Sequence, residues 1–427
     1  MKRRKFLVSS LGLVLAVSCP VFANQTSKNI RAFAITKIFG DGIKLVAIAL
    51  ECEKTLTLKD IKKDDFSVEN RTISDVFVSD EIGLKKQEKG KFIILLLSLE
   101  DKNLSLSKMI PMSNSTIKAN KTSKKPWVAG DKPASNLVFE EPKAKITYQG
   151  ISYSTDSVKN LIADEFLQLV FQDKTTNKTL RYNLYIPKNA KDKKLPLMLF
   201  MHDAGTTSEY HKATLYQGLG AIVWASPKEQ EKRPCFVLAP QYDEIIVDDN
   251  SNASSMLETT INLINELVNK YNIDAKRIYA TGQSGGCMMS IAMNIKYPNL
   301  FAASFLVAGQ WDYKLVKPLA NKKLFILVSA DDLGAFPGQN LITKQLEKEG
   351  AKISRDIWDG RWGDSEYRFA FDKIISNNNP INYVVFKKDS VFLEGDSKQG
   401  ASGHRNTWRI AYSIEPIREW IFEQIND

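Results

Sequence analysis

The sequence predicts two folded domains: a small β-sandwich, followed by a larger domain in which helices cover both faces of a mostly parallel sheet. The chain has 427 residues, more than the roughly 250–300 at which a single domain usually stops growing. Short strand-like runs fill residues 24–160, whereas strand-like and helical runs alternate over residues 161–427. The composition, 43% hydrophobic and 25% charged, is typical of a globular protein and excludes a disordered or disulfide-rich chain.

Residues 1–23 have the pattern of a secretory signal peptide. Basic residues 2–5 precede an apolar run over residues 6–17, and Val21-Phe22-Ala23 places small residues where a signal peptidase cleaves. We expect cleavage after Ala23 and a secreted or periplasmic mature chain, by the general or the twin-arginine route. The residues before Cys19 fit a lipidation motif poorly, so a lipoprotein is disfavoured.

Charge and cysteine content argue against several classes of function. The net charge is +10, but four of these charges belong to the leader and the remaining Lys and Arg are scattered, so no nucleic-acid groove is predicted. Past the leader, no apolar run approaches the ~20 residues that a membrane span needs. Cys52, Cys235 and Cys287 lack CxxC spacing, so we expect buried thiols, with a Cys235–Cys287 bridge as the open alternative.

In the first domain, strand signals follow one another without a long amphipathic helix. Gly40-Asp41-Gly42 predicts a turn into a strand on which Val46, Ile48, Leu50 and Cys52 share one face. Residues 72–79 and 91–99 are further strand-like runs. This pattern favours a small β-sandwich that serves as a spacer or as a carbohydrate- or surface-binding module.

In the second domain, strands alternate with helices. Predicted strands occupy residues 180–186, 195–201, 277–281, 301–308 and 324–329. Leu257, Ile261, Ile264 and Val268 recur at helical spacing, and a final helix is expected after Pro416. The alternation indicates a parallel sheet covered on both sides.

The sharpest local signal is Gly282-Gln283-Ser284-Gly285-Gly286, between the strand RIYAT and a helical run. A serine nucleophile leaves the sheet on a strained strand-to-helix turn, which only small neighbours allow. The start of the helix then offers backbone N–H groups to a developing negative charge. This context makes Ser284 the candidate nucleophile.

A serine hydroxyl needs a base, and the chain contains three histidines. His202 opens the turn after a strand and is expected to be structural, while His211 is expected on the surface. His404 follows the last predicted strand and lies downstream of the acid candidates, as the chain order Ser, Asp, His requires. We therefore assign His404 as the base.

The acid that orients this histidine is expected after a later strand. Residues 324–329 form such a strand, and Ala330-Asp331-Asp332 follows it. An ionised carboxylate there would orient the imidazole and stabilise its cation. We favour Asp332, and Asp331 remains the alternative.

Backbone amides of Gly285 and of Ala204, in the turn at residues 202–205, are the candidate oxyanion donors. Aromatic residues near the ends of predicted strands, or beside His404, are candidates for a substrate pocket. They are Trp224, Tyr242, Trp311 and Trp408.

The chain resembles secreted bacterial α/β-hydrolases in four motifs taken together. They are the GQSGG elbow, the His-x-Ala-Gly turn, the Asp after LFILVSA and the GHRNTW segment. The likeness is to esterases of the polyhydroxybutyrate-depolymerase and feruloyl-esterase type. It is closest to bacterial carboxylesterases with an N-terminal immunoglobulin-like domain, and it covers nearly the whole mature chain. The resemblance implies Ser284 as nucleophile, Asp332 as acid and His404 as base, with oxyanion donors at Gly285 and Ala204.

One residue departs from this family's pattern. Hydrolases of this fold usually have His-Gly at the oxyanion turn, where this chain has His202-Asp203. An acidic side chain beside a developing anion would be unfavourable, so we expect Asp203 to point away from Ser284.

The resemblance implies a carboxylesterase that acts on small-molecule or polymer-borne esters through an acyl-enzyme, without metal or cofactor. The sequence has no HExxH, CxxC pair or P-loop. A serine peptidase of the same fold, like prolyl oligopeptidases, is disfavoured because the N-terminal region is too small for a propeller. A non-catalytic cell-surface binding protein is disfavoured by the intact triad. The natural ester and the oligomeric state are left open.

Overall fold

The structure, a computed structural model, describes residues 30–102, 104–111, 128–133 and 135–426. The predicted signal peptide and Cys19 lie outside these ranges. Within them, no helix is both long enough and apolar enough to cross a membrane.

The N-terminal part of the described chain consists of short strands. They are β1 (Ala32–Phe39), β2 (Gly42–Thr57), β3 (Phe66–Val68), β4 (Ile73–Ser79), β5 (Lys89–Leu97), β6 (Ser107–Pro111), β7 (Ser135–Phe139), β8 (Lys145–Tyr148), β9 (Ile151–Ser154) and β10 (Ser157–Asn160). Among the described residues they form a five-stranded sheet in the order β10-β1-β2-β5-β4, a three-stranded sheet β3-β8-β9 and the pair β6-β7.

The five-stranded and three-stranded sheets pack face to face. Ile48 and Leu50 from β2 share one buried cluster with Phe66 from β3 and Ile146 from β8. A second cluster, which includes Phe33, covers the opposite face of the larger sheet. This arrangement confirms the predicted N-terminal sandwich.

A β-bulge changes the face on which Val46 lies. Ile35 pairs with Ala47 and Thr36 pairs with Leu45, which leaves Val46 as the extra residue. Because a bulge breaks the strict alternation of a strand, Val46 joins the second cluster, whereas Ile48 joins the first. The prediction that these two residues share a face is therefore wrong.

From Leu167 onward, strands and helices alternate. The strands are β11 (Leu167–Asp173), β12 (Lys178–Tyr185), β13 (Leu195–Met201), β14 (Phe236–Gln241), β15 (Ile273–Gln283), β16 (Ala303–Val307), β17 (Leu324–Ser329), β18 (Ile353–Trp358) and β19 (Ile381–Phe386). The helices are α1 (Ala213–Tyr216), α2 (Leu219–Ile222), α3 (Pro227–Lys232), α4 (Met256–Lys270), α5 (Gly285–Lys296), α6 (Ala335–Lys348), α7 (Asp364–Ile375), α8 (Ser402–Ala411) and α9 (Glu415–Phe422).

Among the described residues, these strands form one nine-stranded sheet in the order β11-β12-β14-β13-β15-β16-β17-β19-β18. β12 is antiparallel to both β11 and β14, and the pairings from β14 through to β18 are parallel. Helices α4, α5 and α6 pack on one face, and α1, α2 and α7–α9 pack on the other. The predicted α/β domain is confirmed, and its parallel strands bring their carboxyl ends to one edge.

The change from one sheet to the other falls between Asn160, the end of β10, and Leu167, the start of β11. The two domains share a buried cluster, in which Ile38 and Ile43 pack with Leu215. The N-terminal domain is therefore packed against the larger domain rather than tethered to it.

A short arm of the N-terminal domain, residues 128–133, pairs with the loop that follows β14. The amide of Gly130 donates to Ile245 O at 2.7 Å, and the amide of Ile245 donates to Asp131 O at 2.8 Å. Lys132 and Asp243 form an ion pair at 2.8 Å. The arm therefore fixes this loop from outside the larger domain.

Cys235 and Cys287 are buried free thiols, so the alternative disulfide between them is not formed. Burial raises the pKa of both thiols above the usual range. They pack as small apolar residues.

A buried ion pair connects α3 to α9. Glu229 Oε2 accepts a hydrogen bond from Arg418 Nε at 3.0 Å, and the two side chains are 3% and 8% exposed. Arg418 also donates to Tyr412 O at 2.6 Å. Removing one partner of such a pair leaves the other charge buried without compensation.

Replacing Glu229 by Gln is expected to lower the free energy of unfolding by about 3–5 kcal/mol, because Arg418 would keep its charge and lose its counter-ion. Urea unfolding followed by tryptophan fluorescence measures this change. The control is Lys228→Ala, which removes an ion pair with Glu415 from a side chain that is 73% exposed and should change stability by less than about 1 kcal/mol. Equal small changes in both variants would contradict the prediction.

Candidate active site

Ser284 lies at the turn between β15 and α5, at the carboxyl edge of the sheet. Its backbone has φ +51° and ψ −118°, a conformation that L-residues rarely adopt and that persists only where the surroundings enforce it. Its amide donates to Val307 O at 3.1 Å, and its carbonyl accepts from the Met288 amide at 2.9 Å. The strained turn expected from the sequence is present.

Two glycines of the motif are required by close contacts. A Cβ on Gly282 would lie 2.4 Å from the carbonyl carbon of Gly286, and a Cβ on Gly286 would lie 2.0 Å from Met201 O. Any side chain at either position would push α5 away from the sheet. The glycines therefore allow the helix to begin directly against the end of β13.

The three predicted catalytic side chains meet in one hydrogen-bonded chain. His404 Nε2 lies 2.8 Å from Ser284 Oγ, and His404 Nδ1 lies 2.5 Å from Asp332 Oδ2. His404 stands in the first turn of α8 rather than in the loop expected from the sequence. Residues from three separate carboxyl-edge segments are thus within hydrogen-bond reach of one another.

The structure distinguishes between the two adjacent aspartates. Asp332 is 3% exposed, and its Oδ1 accepts from the amides of Gly334 and Ala335 at 3.1 and 2.9 Å. These donors stand at the start of α6, where the helix dipole favours a negative charge. Asp331 turns the other way, and its Oδ2 accepts from the Asp389 amide at 2.8 Å.

The other two histidines are engaged elsewhere. His202 is fully buried, which lowers its pKa. Its Nε2 accepts from the Tyr242 amide at 3.0 Å, so Nδ1 carries the proton and donates to Asp203 O at 2.8 Å. His211 Nε2 donates to Tyr182 O at 3.0 Å, and burial lowers the pKa of this ring too.

Two backbone amides face the space beside Ser284. Ala204 begins the 3₁₀ helix Ala204–Thr206, and Gly285 begins α5, so neither amide has an acceptor within its own helix. A Cβ on Gly285 would lie 3.4 Å from Ala204 N. The two N–H groups therefore border one small volume, as an oxyanion site requires.

Hydrogen bonds from its own turn and from Gln283 hold the Asp203 carboxylate, and the expectation that it points away from Ser284 stays a prediction. Its Oδ1 accepts from the Gly205 amide at 2.8 Å. Its Oδ2 accepts from Gln283 Nε2 at 3.1 Å and from the Thr206 hydroxyl at 3.0 Å. These three contacts fix the position of the carboxylate within the turn.

An open cleft with two lobes surrounds Ser284. One lobe, of about 360 Å³, extends past Gln310 and Leu333, and the other, of about 330 Å³, extends past Val247 and Trp408. Both lobes are lined by Asp249, Ser284, Met288, Ala401 and His404. The Trp408 ring lies edge-to-face with His404, with centroids 4.8 Å apart.

Two of the predicted pocket aromatics are core residues. Trp224 is fully buried and packs against Phe422, and Tyr242 is fully buried with its hydroxyl on Thr260. Neither presents surface to the cleft, so their placement in a substrate pocket is corrected. Trp311 lines a separate surface depression beside the loop after β14.

Sequence reasoning missed other cleft residues. Met288 lies one helical turn after Ser284, and this i+4 spacing was an available signal. Asp249, Val247 and Leu333 lie in loops without local periodicity, so nothing in the sequence marked them. Among the described residues, no group of three or more His, Cys, Asp or Glu side chains is arranged to hold a metal ion.

The comparison with known families agrees with this division of the chain. Residues 31–151 match the esterase Ig-like N-terminal domain, and residues 180–312 match the esterase PHB depolymerase family. The chain therefore contains one segment similar to each of these two families. The second match includes Ser284, Gly285 and Ala204, whereas Asp332 and His404 lie beyond its end.

Curated relatives match about a third of the chain. Acetylxylan esterase A of Emericella nidulans is 31% identical over 143 residues, which cover 33% of this chain and 44% of the relative. Acetylxylan esterase A of Talaromyces purpureogenus is 24% identical over 157 residues, covering 36% of this chain and 40% of the relative. The chain thus spans less than half the length of these relatives.

The fold of both domains also has a solved counterpart. The crystal structure of a thermostable esterase superimposes with a TM-score of 0.73, covers 93% of this chain and 100% of its own, and is 24% identical in sequence. The superposition extends over both domains. It establishes the shared fold.

The two glycines after Ser284 are expected to respond differently to alanine. Gly286→Ala should lower the free energy of unfolding by about 3 kcal/mol, because its Cβ collides with Met201 O. Gly285→Ala should fold normally but lose about 10²-fold in turnover of p-nitrophenyl acetate, because its methyl group covers the Ala204 amide. Thermal unfolding and initial rates measure the two effects. A Gly285→Ala variant with wild-type turnover would refute the assignment of this amide pair.

Proposed function

We propose that this protein is a secreted serine carboxylesterase. The observation that carries the proposal is the chain of hydrogen bonds from Ser284 through His404 to Asp332, at a strained turn that faces an open cleft. The family matches over both domains support ester hydrolysis as the reaction. Secretion rests on the leader in residues 1–23.

In the first step, His404 Nε2 accepts the proton of the Ser284 hydroxyl as Oγ attacks the ester carbonyl carbon. The carbonyl oxygen becomes negatively charged and accepts hydrogen bonds from the amides of Ala204 and Gly285. When the bond to the alcohol oxygen breaks, His404 gives its proton to the leaving alcohol. An acyl group then remains on Ser284.

In the second step, His404 accepts a proton from water, and the resulting hydroxide oxygen attacks the acyl-enzyme. The same two amides hold the second oxyanion, and collapse returns the proton to Ser284 and releases the carboxylic acid. Asp332 stays ionised throughout. Its negative charge holds Nδ1–H in place and stabilises the imidazolium that forms in each step.

The substrate that we propose is a short acyl ester carried on a carbohydrate. The support is the name of the relatives, acetylxylan esterase, although the chain matches less than half of each. A panel of p-nitrophenyl esters from acetate to palmitate, a feruloyl ester, acetylated xylan and aminoacyl anilides would test it. Turnover of acetate and acetylated xylan above the long-chain esters is expected, and cleavage of the anilides alone would indicate a peptidase.

Ser284→Ala and His404→Ala are each expected to reduce kcat for p-nitrophenyl acetate by at least about 10⁴-fold, because each removes a member of one proton-transfer unit. Labelling by a fluorophosphonate probe should be lost in Ser284→Ala. The matched control is His211→Ala, because this ring hydrogen bonds to Tyr182 O and should leave kcat within about threefold. An inactive His211→Ala with an active His404→Ala would overturn the assignment.

Asp332→Asn is expected to lower kcat by about 10⁴-fold, because an amide cannot hold the required tautomer of His404. Asp331→Asn should stay within about tenfold of the wild type, because Asp331 Oδ2 accepts from the Asp389 amide and does not contact His404. Steady-state rates of both purified variants decide between them. A larger loss in Asp331→Asn than in Asp332→Asn would show that Asp331, and not Asp332, is the acid.

A further inference from the structure

Four polar side chains form a hydrogen-bonded cluster behind the turn that carries the Ala204 amide. They are Asp203, Thr206, Gln217 and Gln283. The two N–H donors of Gln283 Nε2 reach Asp203 Oδ2 at 3.1 Å and Gln217 Oε1 at 3.0 Å. The Thr206 hydroxyl lies 3.0 Å from Asp203 Oδ2 and 2.8 Å from Gln217 Oε1. Gln283 is 1% exposed and Thr206 is 2% exposed, whereas Asp203 and Gln217 are partly exposed at the edge of the cluster.

The direction of the Ala204 N–H is set by the peptide group that joins it to Asp203. Asp203 O accepts from His202 Nδ1 at 2.8 Å and from the Thr206 amide at 3.1 Å. In a planar trans peptide the N–H points opposite to the C=O. The two hydrogen bonds to Asp203 O therefore fix the orientation of this peptide group and direct the Ala204 N–H toward the space beside Ser284.

Gln283 connects this turn to the nucleophile. It immediately precedes Ser284, so its position is fixed by β15 and moves with the Ser284 hydroxyl and the Gly285 amide. Through Asp203 it also holds the turn that carries the other amide. One side chain thus connects the segment that carries the Gly285 amide to the turn that carries the Ala204 amide.

We propose that Gln283 and Asp203 are a positioning pair that keeps the Ala204 amide in place relative to Ser284 and the Gly285 amide. The inference rests on the proposed function, because it concerns where that reaction's oxyanion is bound. The pair also has an electrostatic role. By donating to Asp203 Oδ2, Gln283 fixes the carboxylate and offsets part of its negative charge, which would otherwise oppose the developing anion.

The test uses Gln283→Met, which keeps the length of the side chain and removes its donors, and Asp203→Asn, which removes the charge and one acceptor. Each is expected to lower kcat for p-nitrophenyl acetate by about 10–100-fold, with KM changed by less than about threefold. The double variant should lose no more than the worse single variant, because both changes break one unit.

A transition-state analogue separates positioning from a general structural defect. A boronic acid that forms a tetrahedral adduct with Ser284 should bind more weakly to each variant, in proportion to the loss of kcat/KM. Thermal midpoints within a few degrees of the wild type, and complete labelling by a fluorophosphonate, would show that fold and nucleophile are intact. If Asp203→Asn fails to fold, Gln217→Met, which removes an acceptor on the far side of the cluster, should still reduce kcat by about 3–10-fold.

Asp312→Asn is the matched control. Asp312 begins the 3₁₀ helix Tyr313–Leu315 in the same way, with Oδ1 accepting from the Lys314 amide at 2.9 Å, and it does not line the cleft. Three outcomes would overturn the proposed positioning pair. They are rates of Gln283→Met and Asp203→Asn equal to that of Asp312→Asn, a change in KM alone, and additive losses in the double variant. A wild type without ester turnover would instead overturn the proposed function.

Discussion

The close contact between the start of α5 and the end of β13 determines the rest of the candidate site. Because residue 286 has no side chain, the helix begins against the carbonyl of Met201. That approach forces Ser284 into its strained backbone conformation and brings the Gly285 amide beside Ala204. The strain, the exposure of the hydroxyl and the pairing of the two amides are consequences of one steric constraint.

The electrostatic arrangement follows from the parallel sheet. Strands β13, β15 and β17 end at the same edge, so the loops after them meet there although they are distant in sequence. Asp332 gains amide donors from the start of α6, and its remaining oxygen is directed at His404. At the neighbouring turn, the Asp203 carboxylate accepts from three donors, none of which is a histidine. Two acidic residues near one site therefore have different surroundings, and only one of them contacts the histidine.

The sequence predicts a feature of this structure well when the feature depends on neighbouring residues in the chain, and poorly when it depends on how distant segments pack. Strands 195–201 and 324–329 have the bounds expected, because a fully buried strand appears as an uninterrupted apolar run. His404 could be chosen by elimination and chain order. Asp331 and Asp332 could not be separated, since both follow the same strand and only the direction of the turn distinguishes them. Val46 was misplaced because its face depends on a bulge, which the alternation of residues does not reveal.

The prediction that Trp224 and Tyr242 line the substrate pocket is wrong for a different physical reason. Trp224 and Tyr242 lie near strand ends, but large aromatic side chains gain most by complete burial, and both are in the core. Loops form the wall of the cleft, and one of these loops contributes Val247 and Asp249. Ile245 in the same loop hydrogen bonds to the arm of the other domain, residues 128–133. The catalytic chain is therefore encoded by short motifs on a regular scaffold, whereas the cleft wall depends on contacts between segments more than 100 residues apart. Substitutions that leave every motif intact can still reshape this wall, which is why substrate preference within such a fold is harder to infer from sequence than the reaction itself.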